Sequence, residues 1–361
     1  MNNLRISINA KRFEKAYGGA NQAANTLENY LRNKGHKIFR SLKPNLDLII
    51  IFSPKCNLKI TSYNFTDISD YIKAYPNTLI INRVNSCDEQ RGSDLGINSS
   101  MIKYNKLADF SVYISQFIQD IYTAKGMISK QSQVILNGAD RNIFYPGKPI
   151  NKLKEKEKIK IVTHHWSSNF MKGFDIYERF DQLLDIEPFN KMFQFTCIGN
   201  IPLGVRFKNT NVIKPLARLE LAEELRQHHV YLTAARNEAA GMHHIEGMLC
   251  GLPILFLNSG ALPEYCSSYG IEFTLIDFEE KLLEIKNQYH NLHEKVLNCN
   301  HTSELMVKHF ENVIMTCVEK RRLFPRKKNK LNQILLYRFI KKPYRSAIGI
   351  MKKACNYLQH F

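Results

Sequence analysis

Two carboxylates, Glu238 and Glu246, flank seven residues within Tyr231–Pro263, YLTAARNEAAGMHHIEGMLCGLPILFLNSGALP. The stretch reads as an apolar strand, a polar turn, a helix from about Met242 to Cys250, then Gly-Leu-Pro and a second apolar strand. Glu238 falls in the turn with Ala239, Ala240 and Gly241, and Glu246 falls on the helix. A helix that begins at Gly241 or Met242 leaves its first backbone N–H groups without internal partners. Those groups and the helix dipole favour an anion. One short segment therefore offers an anion site between two carboxylates. That suits a ligand with a diphosphate and many hydroxyls, such as a nucleotide sugar. His243 and His244 look at first like metal ligands, but adjacent helical residues point about 100° apart. No metal site is expected there.

The elements before this stretch set it in an α/β frame. Leu4 to Ala10 reads as a first strand, followed by Gly18-Gly19 and a helical pattern from about Gln22 to Asn33. Strand, glycine turn and helix place backbone N–H groups against a phosphate. LDLIIIF (46–52) is apolar on both faces, as in a buried parallel strand. Further strands are expected at 37–42, 78–82, 107–114 and 132–136, and alternation with helices implies a doubly wound sheet. The charge run 152–160 reads as a linker, after which the pattern restarts. The expected domains are 1–150, 151–318 and a tail, 319–361, with a ligand cleft between the first two. His164 and His165 open an expected loop, 164–175. If extended, their side chains alternate and only one faces the cleft.

Composition points to an anionic partner. The formal charge is +18. Residues 319–361 hold thirteen Lys or Arg and one acid, so they supply +12 of it. Leu331, Ile334, Leu335, Phe339 and Ile340 recur at helical spacing among those cations. A basic amphipathic helix over 320–353 is expected to lie on an anionic membrane surface rather than on nucleic acid. The eight cysteines are scattered without a C-x-x-C pair, which fits reduced thiols in a cytoplasmic protein. No signal peptide or transmembrane run is read in the sequence.

Glu238-x7-Glu246, CGLP (250–253) and SGALPEY (259–265) together resemble the donor-site signature of the family 4 retaining glycosyltransferases. VILNGADRNIFYP (134–146) is similar to that family's interdomain strand and turn, and ADFSVYISQFIQDIY (108–122) to the strand and helix before it. NRVN (82–85) with Arg91-Gly92 resembles an R-x-D…RG segment of a bacterial subgroup, with Asn85 in place of Asp. THHWSSNFMKGFD (163–175) resembles the subgroup's phosphate loop.

The resemblance implies a GT-B fold, two facing Rossmann-like domains, and a hexosyltransferase-type enzyme of surface-polysaccharide or lipopolysaccharide synthesis. It implies that Glu246 holds the ribose diol, Glu238 the transferred sugar and Lys172 the diphosphate. Gly241, Met242 and His243 would offer backbone N–H groups, and Gly18 and Gly19 would let the first domain approach the phosphates. Gly199 and Leu216 would flank the base, while Arg83 and Arg91 would face the acceptor. No DxD-like motif anchors a metal, so no cofactor or obligatory cation is expected. One departure concerns the leaving group. The family's Arg five or six residues before Lys172 is replaced by Ser167 or Trp166, leaving Arg206 and Arg218 as substitutes. A sugar-nucleotide epimerase of the same fold and a non-catalytic nucleotide-sugar-binding protein are the alternatives.

Overall fold

The computed structural model describes residues 3–12, 18–52, 60–147, 157–216 and 218–321. Residues 152–156 of the expected linker at 152–160, and the expected amphipathic tail beyond Arg321, lie outside the described residues.

The first domain alternates β1 (Arg5–Ile8), α1 (Gly18–Asn33), β2 (Lys37–Phe39), β3 (Leu48–Ile51), α2 (Phe65–Ala74), β4 (Leu79–Val84), α3 (Ile97–Asn105), β5 (Phe110–Tyr113), α4 (Gln116–Ala124) and β6 (Ser132–Val134). Its sheet runs β2-β1-β3-β4-β5-β6, with every pairing parallel. Every residue of β3 and β4 is buried, as strands covered on both faces require. In α1, Ala23, Leu27 and Leu31 recur at four-residue spacing and are buried against the sheet.

The second domain continues with β7 (Ile159–His165), α5 (Phe174–Leu183), α6 (Phe189–Met192), β8 (Phe193–Gly199), β9 (Asn211–Ile213), α7 (Leu219–Leu225) and β10 (Val230–Thr233). Then come α8 (Met242–Leu249), β11 (Ile254–Leu257), α9 (Leu262–Cys266), β12 (Gly270–Phe273), α10 (Phe278–Val296) and α11 (Ser303–Glu319). This sheet is also parallel, in the order β12-β11-β10-β7-β8-β9. In each sheet the chain reverses direction once, between β1 and β3 and between β7 and β10. Such reversals leave a crevice at the carboxyl ends of the strands.

Three sequence expectations need correction. Gly18 and Gly19 form the first turn of α1, not a turn ahead of a helix at Gln22. His164 and His165 end β7 and are not in a loop. The third concerns residues 303–318, expected in the second domain. Helix α11 packs Met306, Val307, Phe310, Val313 and Ile314 into the core around Ile6, Leu27 and Ile50 of the first domain. The last described helix thus completes the first domain's layer, because its apolar stripe fits the face of the sheet beside α1.

The domains share a core in which Val84, Tyr113 and Ile118 meet Tyr231, Ile245 and Tyr265. Buried hydrogen bonds tie them directly. Ser115 Oγ donates to the Ala239 carbonyl at 2.7 Å and Tyr265 Oη to the Ile114 carbonyl at 2.7 Å. The six described cysteines are buried free thiols.

Candidate active site

A cleft of about 610 Å³ lies between the two sheets' carboxyl ends. That is room for a substantial organic ligand.

Its second-domain wall is built from the loop after β7, the loop after β10 and the start of α8. The first loop folds into a single turn, Phe170–Lys172, whose start is fixed by Asn169 Oδ1 accepting from Met171 N at 2.8 Å. Gly173 follows at φ +86°, and a Cβ there would stand 2.2 Å from the Ala234 carbonyl oxygen. Only glycine lets the loop lie this close to β10. Lys172 is thereby delivered to Glu238, and the two form an ion pair.

Glu238 is held from behind by the SGA segment, which explains why the two motifs occur together. Asn237 N donates to Ser259 Oγ at 2.9 Å, and Ala261 N donates to the Glu238 carbonyl at 2.7 Å. Gly260 passes so near that a Cβ would lie 2.4 Å from Glu238 N. The carboxylate itself is buried, and Gln90 Nε2 donates to its Oε1 at 2.8 Å. Burial alone would raise its pKa. The Lys172 charge and hydrogen bond, helped by Gln90, overcome that and hold the pKa below the usual carboxylate value.

Glu246 projects from α8 into the same cleft. His164 Nε2–H donates to its Oε2 at 2.9 Å. A carboxylate is an acceptor, so the proton sits on Nε2, and Nδ1 faces Tyr231 Oη at 3.2 Å. His165 turns the other way and meets Tyr177 Oη at 2.7 Å. The two side chains take different partners, but both residues line the cleft, so the expectation that only one faces it is not met. His243 Nε2 meets Thr233 Oγ1 at 3.0 Å, and its ring lies 4.9 Å from those of His165 and His244. Burial, the largest cause, drives the His165 and His243 pKa values well below 6.5 and that of His244 to about 3. The imidazoles beneath the site are neutral at physiological pH, a packed aromatic floor rather than a cationic one.

Gly241 begins α8 with extended backbone and no side-chain cap, so the first N–H groups of the helix keep no side-chain acceptor. The start of α1 approaches from the opposite domain. A Cβ on Gly19 would stand 2.5 Å from Met242 Cγ. Two helix N-termini therefore meet across one cleft.

Of the sequence-picked residues, Gly19, Lys172, Glu238, Gly241, Met242, His243 and Glu246 are gathered here, and Gly199, Leu216, Arg83 and Arg91 also line the cleft. Gly18 begins α1 next to Gly19. Arg218 reaches the cleft, 3.9 Å from Asp140, whereas Arg206 does not line it. Sequence reasoning gave no role to Gln90, His164 or Asn137. For His164 the alternation along β7 was a usable signal. For Gln90 there was none, because Glu238 lies 148 residues away, and Asn137 joins Arg83 to the Ala240 carbonyl, 103 residues further on.

This is the frame shared by glycosyltransferases of GT-B type. The chain aligns over 87% of its length with the whole of Anabaena HepE, solved with UDP-glucose, at TM-score 0.63 and 13% identity. A glycosyltransferase from Rickettsia africae gives TM-score 0.61 at 13% identity, covering 89% of this chain and 99% of that one. The lipopolysaccharide outer core galactosyltransferase WaaB gives 0.60 at 12% identity, covering 87% and 99%. In sequence, 143 residues are 30% identical to an uncharacterized glycosyltransferase of Methanocaldococcus jannaschii. That match spans 37% of this chain and 36% of the relative, about a third of its length. No protein-family model matches the chain.

Proposed function

We propose that the protein is a glycosyltransferase that moves a sugar, a hexose in the simplest case, from a nucleotide-diphosphate donor to a hydroxyl of a growing glycan or lipid-linked acceptor. The observation that carries this reading is the assembly of Glu238, Lys172, Glu246 and the uncapped α8 N-terminus on one cleft wall. Similarity to glycosyltransferases in fold, and in part of the sequence, supports it.

Glu246 Oε1, opposite the oxygen that His164 holds, accepts from the ribose diol. Glu238 accepts from hydroxyls of the sugar while Lys172 keeps it ionised. As the anomeric C–O bond breaks, negative charge grows on the diphosphate, and Lys172 and the α8 N–H groups stabilise it. The acceptor oxygen bonds to the anomeric carbon, and its proton passes to the departing phosphate. Attack from the leaving-group side gives retention, the outcome the family 4 resemblance implies. Charge stabilisation from side chains and backbone makes a divalent cation unnecessary, so activity is expected to survive EDTA.

Among the described residues no helix is long and apolar enough to cross a membrane. The basic segment 320–353 is proposed to hold a cytoplasmic enzyme on an anionic membrane face, where lipid-linked or lipopolysaccharide acceptors reside. Removing residues 326–361 should reduce co-sedimentation with vesicles containing phosphatidylglycerol, and equal binding by a folded truncation would remove that proposal.

The decisive assay is a panel of nucleotide sugars incubated with and without glycan acceptors. Nucleoside diphosphate release that depends on acceptor supports transfer, whereas an epimerised donor or binding alone would replace it. Glu246→Ala should weaken binding of the accepted donor roughly 10- to 150-fold, the worth of a hydrogen bond to a charged group. Unchanged affinity would sink the assignment of Glu246.

A further inference from the structure

Arg83 is the penultimate residue of β4, on the first-domain side of the cleft, and is 2% exposed. Its Nη2 donates to Asn137 Oδ1 at 2.6 Å. Among the described residues Nε and Nη1 have no acceptor, and no carboxylate forms an ion pair with the guanidinium. Its Cζ lies over the Phe52 ring, 5.1 Å from the centroid. Burial lowers its pKa only to about 10, so it stays charged at neutral pH. A buried charge without a counter-ion is costly. Glu238 has the Lys172 ammonium, whereas Arg83 has only a neutral amide.

Asn137 shows which way the fork is held. Its Nδ2 donates to the Ala240 carbonyl at 3.0 Å, and its own N–H donates to Tyr265 Oη at 2.7 Å. The guanidinium is thus one amide side chain away from the Glu238–Gly241 loop and the start of α8. Two electropositive elements from different domains converge there. A planar guanidinium with three N–H bonds unmet matches the oxygens of a phosphoryl group.

We propose that Arg83 is a phosphoryl-binding residue, so that the first domain supplies a cationic subsite to this cleft. The inference rests on the nucleotide-sugar reading. Two sources carry that chemistry, the donor diphosphate and a phosphate borne by the acceptor. In the first case Arg83 is the second leaving-group cation, supplied across the cleft where the loop has Ser167 and Trp166.

Calorimetric titration of UDP, ADP, GDP and dTDP into the wild-type protein, Arg83→Gln, Arg83→Lys and Glu246→Ala tests this. Inorganic phosphate is then titrated into each protein saturated with its preferred nucleoside diphosphate. If the donor is the source, Arg83→Gln weakens diphosphate binding at least 10-fold and Arg83→Lys by less. If the acceptor is the source, diphosphate affinity is unchanged and the wild-type complex binds phosphate that the Arg83→Gln complex does not. Unchanged diphosphate affinity in both Arg83 variants, with no difference in phosphate binding, overturns the proposal, while a loss in Glu246→Ala leaves the functional reading standing. If no nucleoside diphosphate binds wild-type protein, the functional reading fails. Pyrophosphate then still tests Arg83, which requires it to raise the wild-type melting temperature more than that of Arg83→Lys. Should Arg83→Gln not fold, Arg83→Lys alone decides. It keeps the charge but loses the fork, so unaltered binding of both ligands overturns the proposal.

Discussion

The two walls of the cleft handle charge in opposite ways. On the second-domain wall each buried carboxylate has its own partner, Lys172 for Glu238 and His164 for Glu246. On the first-domain wall Arg83 is buried with two nitrogens unmet. A compensated wall is pre-organised, because its dipoles and charges are fixed before a ligand arrives. An uncompensated wall has its largest electrostatic gain still to come from what enters the cleft. Affinity for hydroxyl-rich parts of a ligand should therefore depend on the second domain, and affinity for extra negative charge on the first.

Breaking the compensated wall should have the largest effect. Lys172→Ala leaves Glu238 buried and unpaired, at a cost of about 3 kcal/mol, the low end of the usual range, since the lysine side chain is 18% exposed. Urea unfolding measures it, and turnover should fall about 100-fold or more. Adding Glu238→Gln should recover most of the stability and none of the turnover. A double variant no more stable than Lys172→Ala would show that the pair does not carry this stability.

A smaller effect is expected where the walls touch. Gly19→Ala puts a methyl group against Met242 and should destabilise by about 1–3 kcal/mol through overpacking. Met242→Ala should relieve it, and the double-mutant cycle reads the coupling. Additive single effects would mean that the two helix starts do not bear on each other.

The floor beneath the compensated wall should respond weakly and with pH. The folded His244 imidazole stays neutral down to about 3, whereas the unfolded one takes up a proton below 6.5. The unfolded state therefore binds more protons in that interval, and stability falls as pH drops from 6.5 toward 3. Neither ring nitrogen of His244 has a partner among the described residues. His244→Leu should lessen the stability lost between pH 8 and pH 5 by roughly 1–2 kcal/mol. An unchanged slope in chemical unfolding would assign the acid sensitivity to other groups.

What the sequence revealed of this cleft followed from short range. Glu238, Gly241 and Glu246 lie within one strand–turn–helix unit, so periodicity places them relative to each other. The doubly wound class was legible for the same reason, in fully apolar runs such as LIII of β3 alternating with helices. Long-range pairings were not. Nothing local in Met306, Phe310 and Ile314 says that α11 returns to the first sheet, since an apolar stripe specifies burial but not a partner. Arg83 and Gln90 stand in a polar segment whose composition reads equally as solvated loop. Arg83 is packed against Phe52 and held by Asn137, and Gln90 is held by Glu238, 148 residues later.

The return of α11 gives the chain two passages between domains, and they run side by side. Ala139 bridges Thr302, Ser303 N donates to the Ala139 carbonyl at 2.8 Å, and a Cβ on Gly138 would lie 2.1 Å from the Thr302 carbonyl oxygen. Two straps fused side by side, with the shared apolar core next to them, oppose twisting and sliding of one sheet against the other. The cleft walls are thereby held in one register, with Gly19 against Met242 and Gln90 on Glu238.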